Sequence, residues 1–92
     1  MTIKTIYTRF PDGLHGVLPY LGGVLGDKCI IAIDADTEAD RAATLHEALA
    51  RLALGSLYTK EEALTLETDP VEEAAIQRLT MQLTIEELKA LI

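Results

Sequence analysis

The chain is poor in aromatic residues, in cysteine and in basic residues, and each shortage narrows what it can be. Aromatics make up only 4% of 92 residues against 49% hydrophobic residues overall, so the core is expected to be built from aliphatic helix faces rather than stacked rings. A single cysteine, Cys29, rules out an intramolecular disulfide. It sits in the apolar run Cys29-Ile30-Ile31-Ala32-Ile33, where a buried, inert thiol in a reducing cytoplasm is the expectation. Eight basic residues against fifteen acidic ones leave a net charge of −7, which repels phosphate backbones and anionic lipid and argues against direct nucleic-acid binding. Long hydrophobic runs are missing as well. Lys4, Arg9, Pro11 and Asp12 interrupt any signal-peptide core, and the uncharged stretch from Gly13 to Gly26 is broken by glycine and proline. Neither an export signal nor a membrane anchor is expected.

At this length one hydrophobic core forms, so residues 1–92 are expected to be a single domain. Residues 2 to 10 mix β-branched and aromatic types and fit a short strand marginally better than a helical turn. Leu14 to Leu18 and Lys28 to Ile33 read as strands of a loose hairpin, with Pro19, Gly22, Gly23 and Gly26 in its loop. Thr37 with Asp40 three residues on starts a helix that Gly55 stops, over 37–54. Ala42, Leu45, Leu49, Leu52 and Ala53 form its core stripe, with Glu47 and Arg51 placed elsewhere around the cylinder. Three further cap patterns follow: Thr59 with Glu62, Asp69 with Glu72 behind Pro70, and Thr84 with Glu87. The helix from Pro70 places Val71, Ala75, Leu79 and Leu83 on one side, and Ile85 to Ile92 adds another amphipathic turn or two. The fold class is therefore α+β, a small antiparallel sheet packed on helices.

The chemistry-bearing segment is Leu45-His46-Glu47-Ala48-Leu49-Ala50 in the long helix. A zinc peptidase places two histidines at i and i+4 so that both grip one metal, with the glutamate after the first taking a proton from the bound water. Here the i+4 position is Ala50. Glu72 or Glu73, near the start of the next helix, has the chemistry of a third ligand. Each residue also has a structural reading. His46 fits a hydrogen-bonded, partly buried side chain, Glu47 an ion pair with Arg51 four residues on, Glu72 a capping carboxylate, and His15 a turn or strand residue. Cys29, the single serine Ser56 and Gly22 to Gly26 supply no nucleophile or phosphate loop.

Taken together, Gly13-Leu14-His15-Gly16 with its Gly-rich turn, Ile30-Ile31-Ala32-Ile33-Asp34, Arg41 to Glu47, Leu52-Ala53-Leu54-Gly55 and Glu72-Glu73-Ala74-Ala75 leading to Leu83 resemble the ImmA/IrrE-type metallopeptidases. The resemblance runs from about Gly13 to Leu91 and includes forms found near phage and mobile-element repressors. It implies a zincin-like minimal domain, with His46 as first metal ligand, Glu47 as general base and Glu72 as third ligand. Glu73 or His15 would be the substitutes for a missing ligand. The departure at Ala50 takes away the second histidine and implies a scaffold that acts by protein contact, its partner a repressor-type regulator. The alternatives are a divergent zinc-dependent endopeptidase cleaving such a regulator, or an acidic mimic of nucleic acid that blocks a binding protein.

Overall fold

The computed structural model describes residues 2–55 and 69–92. Three strands, β1 (Thr2–Tyr7), β2 (Tyr20–Leu25) and β3 (Lys28–Ile33), are followed by helices α1 (Glu38–Ala53), α2 (Pro70–Gln82) and α3 (Ile85–Leu91). The class is α+β, as the alternation of short apolar runs and capped helical segments indicated. The sheet order is β1-β3-β2. It is mixed rather than wholly antiparallel: β2 pairs antiparallel to β3, whereas β1 pairs parallel to it. A parallel pair demands a crossover, because a tight turn can only reverse the chain.

That crossover is the segment expected to be the first hairpin strand. Residues 8–19 carry the chain past the end of β3 from one edge of the sheet to the other, and Leu14 to Leu18 lie in successive turns rather than in a strand. The amides of Leu14 and His15 donate to the Pro11 carbonyl, and those of Val17 and Leu18 to Leu14. Gly13 and Gly16 adopt φ of 96° and 79°, which side-chain-bearing residues rarely reach. The true partner of β3 is Tyr20–Leu25, so Gly22 and Gly23 belong to a strand and not to a loop. Gly26, at φ 63°, and Asp27 make the two-residue hairpin turn. Buried Tyr20 opposite buried Ile33 pins the register at the other end.

The helices start and stop where local chemistry dictates. The Thr37 hydroxyl accepts from the Asp40 amide and the Asp69 carboxylate from the Val71 amide, while Thr84 and Glu87 form a reciprocal capping box. The Thr59 and Glu62 pattern lies outside the described residues. One side of α1 packs on β2 and β3, another on α2 and α3. The core joins Cys29, Ile31 and Ile33 of β3 and Tyr20 of β2 to Leu45, Leu49 and Leu52 of α1, with Ile76 of α2 and Leu88 of α3 closing it. Ala42 and Ala53 of the expected stripe are exposed, while Ala48, Ala50 and Arg51 are buried. On α2 the buried position is Ile76, and Val71 stands in solvent. Among the described residues no helix is long and apolar enough to cross a membrane.

Ile31 is fully buried and its neighbour Ile30 half exposed on the opposite side of the same strand. Ile31→Ala is expected to cost about 2 to 5 kcal/mol, whereas Ile30→Thr should change stability by no more than about 0.5 kcal/mol. Equilibrium urea unfolding of the two variants measures both.

Candidate functional site

The long helix presents His46 and Glu47 toward α2, where they border a shallow depression with Ala43, Gln77 and Thr80. His46 Nε2 lies 2.6 Å from the Leu83 carbonyl at the end of α2. A carbonyl only accepts, so Nε2 carries the proton and donates. The proton on Nε2 leaves the ring's lone pair on Nδ1, and the hydrogen bond to Leu83 ties α1 to the α2–α3 junction.

The glutamates are engaged too. Arg51 is buried, and among the described residues its guanidinium faces Glu47 at 3.7 Å on its own helix, Glu72 at 3.7 Å, and Glu73 in direct hydrogen-bonded contact. The ion pair of Glu47 with Arg51 is as its spacing indicated. Glu72 points at Arg51, and the cap of α2 is made by Asp69. A charge removed from water needs opposite charges beside it, and α2 supplies them through consecutive residues of its first turn. The signal that could have found this is Arg51's place inside the apolar run Leu49-Ala50-Arg51-Leu52.

Position 50, where a second histidine would stand, holds an alanine with no exposed surface. The donor set does not fit a zinc ion as folded. His46 Nε2 donates to Leu83, the carboxylates of Glu47, Glu72 and Glu73 lie about the Arg51 guanidinium, and a methyl group takes the place of the second imidazole. Among the described residues no three His, Cys, Asp or Glu side chains converge as a metal-holding group.

His15 has a different partner. Its Nδ1 donates to Asp34 Oδ2 at 2.5 Å, and the same oxygen accepts the Phe10 amide at 3.1 Å. Asp34 follows β3 directly, so one carboxylate fastens both halves of the crossover to the end of the central strand. Its side chain is 7% exposed and that of His15 34%. The hydrogen bond from His15 is the main reason that the Asp34 carboxyl titrates below the usual aspartate range, aided by the Phe10 amide and the charges of His15 and Arg9, with partial desolvation opposing them. Nearby, Arg41 lies 5.3 Å from the Tyr7 ring centre and donates from Nε to the Ala35 carbonyl, joining the start of α1 to the end of β1. Burial raises the Cys29 thiol, in keeping with an inert core residue.

Comparison with known proteins adds no neighbour: no family model, no curated protein and no solved structure matches the chain.

Two outcomes follow from these contacts. Replacing Arg51 by Met keeps the packing of the stem but leaves the carboxylates facing one another, and should cost on the order of 3 kcal/mol. Glu47→Gln, which removes one long and partly solvated pair, should cost no more than about 1 kcal/mol. Urea midpoints separate the two. Because the folded-state pKa of Asp34 is depressed, its contribution is present above the unfolded value of about 3.9 and lost as pH falls through the folded value. Asp34→Asn should therefore be destabilised relative to the parent at neutral pH, and the gap should narrow in acid. Unfolding curves at about pH 7 and about pH 3 check this.

Proposed function

We propose that this protein is a non-catalytic, ImmA/IrrE-like scaffold of zincin type that works in the cytoplasm by binding another protein. Its partner would be a repressor-type regulator of phage or mobile-element biology. The observation that carries the reading is that each group a zinc peptidase would need already has a structural task. His46 donates to Leu83, and Glu47, Glu72 and Glu73 neutralise Arg51. Ala50 is a core residue. A general base must be within reach of a water and available to take its proton, and a glutamate paired with a buried guanidinium is held away from that role. The net charge of −7 supports a protein rather than a nucleic acid as the partner.

The test is the zinc content and zinc affinity of the purified protein beside His46→Ala. Expected are no stoichiometric zinc in either protein and a loss of about 1 kcal/mol of stability in the variant, from the hydrogen bond to Leu83. Stoichiometric zinc that disappears with His46→Ala would overturn the reading in favour of a divergent zinc-dependent endopeptidase with a replacement ligand.

A further inference from the structure

The central strand reads Lys28-Cys29-Ile30-Ile31-Ala32-Ile33, an almost unbroken apolar run. Such runs belong to strands covered on both faces, whereas a strand with one wet face alternates apolar and polar residues. Among the described residues the helices cover one face only. Cys29, Ile31 and Ile33 point into the core and are buried, and Ile30, between them, is 49% exposed. The register extends this outer face to both neighbours. Ile30 stands between Lys4 of β1 and Gly23 of β2, and Ala32 between Ile6 and Leu21. At the hairpin end Lys28 stands beside Leu25. Ile6 is 39% exposed and Leu25 85%.

Two further features describe what fits this surface. Among the described residues of the sheet its only charged side chains are Lys4 and Lys28, and none of the outward positions is acidic, although the chain as a whole carries an excess of acidic residues. Gly23 leaves a notch beside Ile30: a Cβ built there meets no atom within 4 Å. An apolar sheet face is ordinarily closed by a helix laid across it. From this pattern we infer that the outer face of the sheet docks an amphipathic helix of a partner protein, its apolar stripe over Ile30 and the Gly23 notch and its acidic flank against Lys4 and Lys28. Anionic lipid would meet the same lysines, but the net charge of −7 opposes approach to a bilayer. A second copy stacked face to face would set these lysines against their own kind. The inference rests on the protein-binding reading above and gives that partner a surface and a chemistry.

The probe is a synthetic helical peptide of about 18 residues with one leucine stripe flanked by glutamates, and an isomer flanked by lysines. Amide shifts of the full chain are followed by NMR. The glutamate peptide is expected to move outward residues of β1, β2 and β3, and the lysine isomer to bind at least about tenfold more weakly. The double variant Lys4→Glu/Lys28→Glu should reverse that preference. Gly23→Trp, at a position with open space and ordinary strand backbone, should fold and weaken binding by about tenfold or more. Equal affinity for both peptides, shifts confined to the helices, or an unchanged preference in the charge-reversed variant would overturn the proposal. So would binding of phosphatidylglycerol vesicles in place of peptide, or self-association through this face in sedimentation. If the face fails in zinc-free protein, this surface alone falls. If His46-dependent zinc is found as well, the protein-binding reading falls with it.

Discussion

The rest of the structure depends on the burial of α1 all the way round in its second half. Ala48, Leu49, Ala50, Arg51 and Leu52 are consecutive and buried, and a run of that length exceeds one helical turn of 3.6 residues. An amphipathic helix on one sheet would leave its far side wet. This one is enclosed by the sheet on one side and by α2 and α3 on the other. Small residues at positions 48 and 50 let those neighbours come close, and a guanidinium enclosed at position 51 obliges α2 to begin with two glutamates that face it.

The same enclosure decides which groups α1 can offer to a metal. In a metal site, the helix face that carries His46 and position 50 would be lined with lone pairs directed at a cation. Here that face supplies a proton to Leu83 and a methyl group to the core. The cation of the site is a side chain, Arg51, and it lies where the acidic residues of α1 and α2 meet. Charge balance of this kind stabilises the contact between helices and engages the carboxylates of Glu47, Glu72 and Glu73.

The sheet follows a different economy. One face is sealed by α1, the other displays apolar residues with two lysines, and the crossover between β1 and β2 is fastened at the end of β3 by Asp34 through His15 and Phe10. The acidic helices and the apolar, cationic sheet face thus give the molecule two surfaces of unlike chemistry.

Helix boundaries were legible because their causes lie within four residues of one another. Thr37 with Asp40, Asp69 with Pro70, Thr84 with Glu87, and Gly55 each act through hydrogen bonds or backbone freedom that need no distant partner. The α+β class followed from these segments and the apolar run of β3, and Glu47 could be matched to Arg51 because four residues separate them on a helix. What pairs with β3 was not legible: two apolar stretches with turns between them competed for it, and the choice of Tyr20–Leu25 rests on Tyr20 packing into a core that only the assembled fold creates. The parallel docking of β1, the Leu83 acceptor of His46, the Asp34 anchor of His15 and the Glu72 and Glu73 carboxylates beside Arg51 join residues 19 to 37 positions apart. Local composition carries no trace of such partners. The sequence by itself determined where the described helices begin and how the chain is charged, while tertiary structure alone decided which distant polar groups meet, because burial selects partners only after distant segments have been brought together.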